Sequence, residues 1–252
     1  MSERCFYKSN ISERYTVFVH RIMPYMEAIE PGKEFTRKDN MTAVIIVYRR
    51  PVRWTDRVIR WVCGDFTHCE LYIPKLGGTF VTTVDCGMEF NMGLKNNYRD
   101  AKQCKNYAWH LMTLTQLEYE RLWVWNMTQV SRHCKYNYSD MIWQVTPYFR
   151  SYVHDLDHGH SDQPPRLFCS QSIVLALRAA FDGNDSDLSA KAFANSMNSR
   201  LTTPGDIHDS VTKFLGVLVN ENPIPVSAID VNMYTNRMLL QHEQRLASRG
   251  VC

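Results

Sequence analysis

Residues 66–84 read FTHCELYI (Phe66–Ile73), PKLGG (Pro74–Gly78) and TFVTTV (Thr79–Val84). Two runs rich in β-branched and aromatic residues, joined by a Pro- and Gly-bearing segment, predict a β-hairpin. Its five-residue connection is longer than the two-residue turns that fix register. Side chains two apart on a strand share a face, so Cys69, Leu71 and Ile73 face a core while His68, Glu70 and Tyr72 point the other way. That second, polar face is expected to look into solvent or into a cleft. Taken alone, a His and a Glu on one strand face read more often as a solvated surface than as a site.

Upstream, TAVIIVY (Thr42–Tyr48) is a continuous apolar run, short enough for a buried strand, and Pro51 ends it. Trp54, Val58, Ile59 and Val62 then recur at helical spacing among Arg53, Asp56, Arg57 and Arg60, which predicts a short amphipathic helix closing near Gly64. Downstream, strands are expected around Met88–Phe90 and Tyr107–Leu114, continuing a meander. Thr115 and Glu118 have the spacing of a capping box, so a helix should run from there to about Arg132. Its stripe Trp123, Met127 and Val130 is read as core. Ser139 or Asp140 is expected to cap another helix that stops before Pro147. Cys169–Phe181 (CSQSIVLALRAAF) predicts a helix whose Ile173, Val174 and Leu177 pack on the sheet. Thr203-Pro204-Gly205-Asp206 places a capping residue before a Pro at the first helical position and starts a further helix. Ser227–Ser248 reads as the last. The expected class is α+β, with an extension over residues 1–41, a domain over 42–214 and a helical extension over 215–252.

The 252 residues are 44% hydrophobic and 12% aromatic, a composition that folds. A formal charge of +3, spread along the chain without a basic block, gives no indication of nucleic-acid binding. No apolar run reaches the roughly 20 residues that span a bilayer, and the first residues carry no apolar signal region. A soluble, cytoplasmic protein is therefore expected. The eight cysteines include no C-x-x-C pair, which argues for free thiols over a zinc ribbon or a disulfide framework.

Cys169 opens its helix directly after Arg166-Leu167-Phe168. A thiolate is the nucleophilic form of cysteine, and a helix N-terminus favours it through unpaired N–H groups and the macrodipole. A nearby imidazole would add to that effect and carry the proton. Without such a partner, Cys169 reads as a small buried apolar residue. A second cluster, His154, His158 and His160 with Asp155 and Asp157, holds metal-ligating residue types. Its spacing matches no zinc pattern, so a solvated loop is the preferred reading.

The order of THCELYI, a second strand, LFCSQSIVLAL about a hundred residues later and a TPGD helix start resembles the circularly permuted branch of the NlpC-type papain-like cysteine hydrolases. That branch has bacterial, phage and large-virus members, and lecithin:retinol acyltransferase is a relative. The resemblance covers roughly Thr42 to Phe214. It implies a permuted papain-like fold, a small antiparallel sheet packed against a Cys-bearing helix. It further implies a cysteine hydrolase or acyltransferase, with Cys169 as nucleophile, His68 as base and Glu70 as a polar member of the site. The substrate would be a peptide, isopeptide or lipid ester, and no cofactor is needed. Cys69 stands where Val is usual, and Gln171 where Glu is common, which puts in doubt any role needing a charge there. Thr82 or Thr83, on the partner strand, are alternatives to Glu70 as the third group. The rival reading is a non-catalytic binding or structural protein, in a virion for instance, that keeps the fold.

Overall fold

The computed structural model describes residues 41–52, 54, 56, 60, 64–100, 102–138, 166–182 and 188–215. These belong to the compact unit that begins at Asn40. Strands β1 (Met41–Arg49), β2 (His68–Ile73), β3 (Gly78–Thr83), β4 (Gly87–Asn91) and β5 (Tyr107–Thr115) form one antiparallel sheet in the order β4-β3-β2-β1-β5. Helices α1 (Leu94–Arg99), α2 (Gln116–Ser131), α3 (Cys169–Phe181), α4 (Leu188–Ser196) and α5 (Pro204–Leu215) accompany it, with a short parallel pair, β6 (Lys135–Tyr136) and β7 (Arg166–Leu167). The chain is α+β, as its sequence pattern predicts.

The unbroken apolar run of β1 follows from its place in the sheet. β1 pairs with β2 on one side and β5 on the other, and both of its faces are covered. Val44, Ile46 and Tyr48 join the larger core with Cys69, Leu71, Ile73, Phe80, Ala108, Met112 and the apolar side chains of α2 and α3. Ile45 and Val47 join a second cluster with Tyr72, Tyr98, Tyr107 and Trp109. Each fully buried Val or Ile contributes on the order of 1.5–3 kcal/mol, so a strand apolar on both faces gains from both layers.

Helix boundaries follow local chemistry. The Thr115 hydroxyl accepts the Glu118 N–H at 3.3 Å, and the Thr115 N–H donates to the Glu118 carboxylate at 2.8 Å, the reciprocal box that starts α2. Beyond its last turn, His133 takes a positive φ of 50°, the left-handed exit common after helices. Trp123, Met127 and Val130 pack against the core, and Trp123 lies edge-on to Phe80 and Phe90 at 5.1 and 5.5 Å. α5 repeats the box: Asp206 accepts the Thr203 N–H at 2.9 Å and donates its own N–H to the Thr203 hydroxyl at 3.2 Å.

α3 is buried along nearly its whole length, well beyond the single stripe its sequence suggests. It packs on β2 and β3 and also contacts α2, α4 and α5. Arg178 donates from Nη2 to the Met197 carbonyl at 2.5 Å and from Nε to the Ala194 carbonyl at 3.4 Å, fastening the end of α4 to α3. Gly87 opens β4 with φ +71°, and a Cβ there would sit 2.1 Å from the Cys134 carbonyl oxygen. Only glycine fits that approach.

Trp54, Asp56 and Arg60 are helical, in agreement with the helix expected after Pro51. Most of that helix, residues 1–40, the helix expected from Ser139 or Asp140, the His-rich loop at 151–165 and the segment Ser227–Ser248 lie outside the described residues. Among the described residues, no helix is long and apolar enough to cross a membrane.

Candidate active site

His68 is the first residue of β2 and is half-buried. Cys169 is the first residue of α3 and is buried. A hydrogen bond joins their side chains, so the structure brings together the two residues that sequence reasoning paired across a hundred positions.

The break in the sheet explains how the sulfur reaches this place. β2 pairs with β1 down to His68, which stands opposite Arg49. Its pairing with β3 covers only Leu71 to Ile73. Past Leu71 the strand edge has no ladder partner, and the Cys69 N–H bonds the Cys169 sulfur. On the far side of this gap, Thr82 donates to the Ser172 hydroxyl at 3.1 Å, and Ser172 donates to the Cys169 carbonyl at 2.7 Å. The first turn of α3 thus docks between β2 and β3. His68 and Cys69 point to opposite faces, and both reach the sulfur.

The electrostatics favour an ion pair. The Cys169 thiol is held well below its ordinary pKa, first by the hydrogen bond from the Cys69 side chain. Burial opposes this, while the charge and hydrogen bond of His68 and the Cys69 N–H reinforce it. For His68, burial alone would lower the pKa. The charge and hydrogen bond of Cys169, joined by the charge of Glu70, outweigh burial and the nearby Arg49 and raise it. Each partner therefore stabilises the charged form of the other. The α3 N-cap is Phe168, which supplies no side-chain cap, so the N-cap side chain does not take up the first-turn N–H groups beside the sulfur.

Glu70 departs from expectation. It shares a face with His68 and Tyr72, but that face is covered rather than open, and Glu70 is only 4% exposed. Part of the cover comes from α1. Fully buried Tyr98 is hydrogen-bonded to Glu70, lies edge-on to Tyr72 and Tyr107, and sits 3.4 Å from the Thr79 hydroxyl. Burial raises the Glu70 pKa, and His68, the Tyr98 hydrogen bond and Arg49 pull against that rise. Tyr98 in turn is pushed well above its ordinary value by burial and then by Glu70. Sequence reasoning missed Tyr98 because the short stretch Leu94–Arg99 carries neither a cap nor an apolar period.

The alternative third groups are engaged elsewhere. Thr82 bonds Ser172 as described, and Thr83 accepts the Cys86 N–H at 3.4 Å. Gln171 is fully buried, and among the described residues neither of its amide atoms has a hydrogen-bond partner. The Ser170 hydroxyl is likewise buried and has no partner among the described residues. An uncharged amide costs far less to bury in this way than a carboxylate.

A second polar cluster joins α5 to the sheet on the face that α3 also covers. His110 lies 3.2 Å from the Tyr48 hydroxyl and 3.0 Å from the Thr212 hydroxyl. Burial and the charge of His208 lower its pKa to about 4. It is a neutral, hydrogen-bonded tie between strand and helix. The His154, His158 and His160 loop lies outside the described residues. Among the described residues, no group of three or more His, Cys, Asp or Glu is arranged to hold a metal ion.

No protein-family model matches the chain, and neither does any curated protein or solved structure.

Proposed function

We propose that the protein is a thiol-dependent hydrolase or acyltransferase of permuted papain-like type, acting on an amide or ester bond through an acyl-enzyme on Cys169. The observation that carries this reading is the hydrogen-bonded Cys169–His68 pair at an uncapped helix start, each group shifted toward its charged form by the other. A structural cysteine in an apolar core has its thiol pKa raised, as Cys134 does, pushed up to about 12 by burial.

In this mechanism the Cys169 thiolate attacks the substrate carbonyl carbon. The carbon–sulfur bond forms, and the carbonyl π electrons move to oxygen as an oxyanion. First-turn N–H groups of α3 are the donors nearest the sulfur along the chain, and they suit that charge. The His68 imidazolium then protonates the leaving amine or alcohol as the carbon–heteroatom bond breaks, leaving a thioester on Cys169. Neutral His68 next takes a proton from water or an acceptor, which attacks the thioester and releases Cys169. Glu70 stabilises the imidazolium by charge, and Tyr98 holds the Glu70 carboxyl.

The test is acylation by an activated ester, followed by intact-mass and peptide mapping. The expected result is a single acyl group on Cys169 that water discharges, absent from Cys169→Ala. Labelling undiminished in Cys169→Ala and mapped to another cysteine would refute the proposal.

A further inference from the structure

Cys69 is unusual among the residues around the sulfur. Its backbone N–H and its own thiol both contact Cys169, from β2 and from the core face respectively. Neither cysteine is in a disulfide. They come from different elements, 100 positions apart in sequence, and are held in one packed core. The pair therefore consists of a nucleophilic sulfur and a second thiol in direct contact with it. We infer that Cys169 and Cys69 form a reversible disulfide in response to a hydroperoxide, a modification site that switches off the nucleophile and protects it from over-oxidation. The identity of Cys169 as the reactive thiolate rests on the proposed function; the pairing with Cys69 rests on their contact.

The chemistry balances in two steps. The Cys169 thiolate attacks one oxygen of hydrogen peroxide, so an S–O bond forms and the O–O bond breaks. Sulfur loses two electrons to the peroxide, and the departing hydroxide takes a proton from the His68 imidazolium and leaves as water. The product is a sulfenic acid on Cys169. The Cys69 sulfur then attacks the Cys169 sulfur, so an S–S bond forms and the S–O bond breaks. The proton lost by Cys69 leaves with the departing hydroxide as a second water. The sum is two thiols and one peroxide giving one disulfide and two waters.

Burial selects the partner. Cys169 keeps only 6% of its surface exposed, which admits a small hydroperoxide more readily than a bulky external thiol such as glutathione. Cys69, 1% exposed, is already beside the sulfur. A neighbouring resolving thiol captures a sulfenic acid before a second peroxide carries it to the irreversible sulfinic acid.

The experiment treats the reduced full-length protein with excess hydrogen peroxide, enough to carry an unprotected sulfenic acid to the sulfinic acid, removes the peroxide and then adds dithiothreitol, scoring iodoacetamide labelling of Cys169 and disulfide-linked peptides by mass spectrometry. The wild type is expected to lose Cys169 labelling, gain a linked peptide pair containing Cys69 and Cys169, and recover its labelling on reduction. In Cys69→Ser and Cys69→Val, peroxide should still remove Cys169 labelling, but dithiothreitol should no longer restore it, and sulfinic acid should accumulate on Cys169. Two variants guard against a folding defect in one, and the wild-type peptide map needs neither. A linked pair joining Cys169 to any other cysteine, wild-type inactivation that resists dithiothreitol, or recovery that persists in both variants would overturn the inference. If the linked pair forms while no ester acylates Cys169, the redox site stands and the proposed hydrolytic function falls.

Discussion

Replacing Tyr98 by Phe deletes one hydroxyl from the closed face of the sheet and keeps the ring that packs on Tyr72 and Tyr107. That hydroxyl bonds Glu70 and lies 3.4 Å from Thr79. A hydrogen bond to a charged group contributes about 1.5–3 kcal/mol, and one between neutral groups about 0.5–1.5 kcal/mol. Tyr98→Phe should therefore cost about 1.5–3 kcal/mol where Glu70 is ionised and about 0.5–1.5 kcal/mol where it is protonated. The lost contact with Thr79 is common to both conditions and cancels in the difference. Burial raises the Glu70 pKa above its ordinary value, so the native state keeps the proton to higher pH than the unfolded chain does. The contribution of this group to stability is thus greatest in acid, and it falls as pH climbs from the ordinary carboxylate value through the raised native one. Because the Tyr98 bond opposes the rise, removing it steepens that fall. Urea unfolding of both proteins at about pH 4.5 and about pH 8 measures the effect. Equal losses at the two pH values, or no loss at all, would show that Tyr98 does not hold the Glu70 carboxylate.

Other substitutions probe the same site. His68→Ala removes the charge and hydrogen bond that favour the Cys169 thiolate, so the pH profile of iodoacetamide labelling at Cys169 should move to higher pH; an unchanged profile would mean that the two groups do not interact. Glu70→Gln should lower turnover of an activated ester by an order of magnitude or more with little change in binding, while urea unfolding at neutral pH shows undiminished stability because a buried charge has been removed. A variant that is unstable but fully active would reverse that reading. Gln171→Glu places a carboxylate where two amide atoms already lack partners among the described residues, and it should lose more than about 2 kcal/mol at neutral pH and less in acid, as measured by thermal unfolding; a neutral outcome would point to an unrecognised partner for this side chain.

Much of this arrangement is legible in the chain itself because it depends on local chemistry. Alternation in His68–Ile73 correctly assigns Cys69, Leu71 and Ile73 to the core, since the strand period is a backbone property that no neighbour alters. The Thr115–Glu118 box and the Thr203–Asp206 start of α5 are local too, because each is completed within one turn. The start of α3 at Cys169 and its end at Phe181 follow from composition and agree with the structure. Contacts between distant segments are another matter. The closed face over Glu70 depends on α1 folding across it, and six residues without a cap or an apolar period do not announce a helix. Thr82 is directed to Ser172 rather than to His68 by the place where β2 and β3 stop pairing, and the five-residue connection left that register undetermined. The contact between Cys69 and Cys169 follows from the docking of α3 into that same gap. Residue spacing determined which side chains share a strand face or a helix turn; only the packing of α1 and α3 on the sheet decided which of them meet, because those distances are set by elements far apart along the chain.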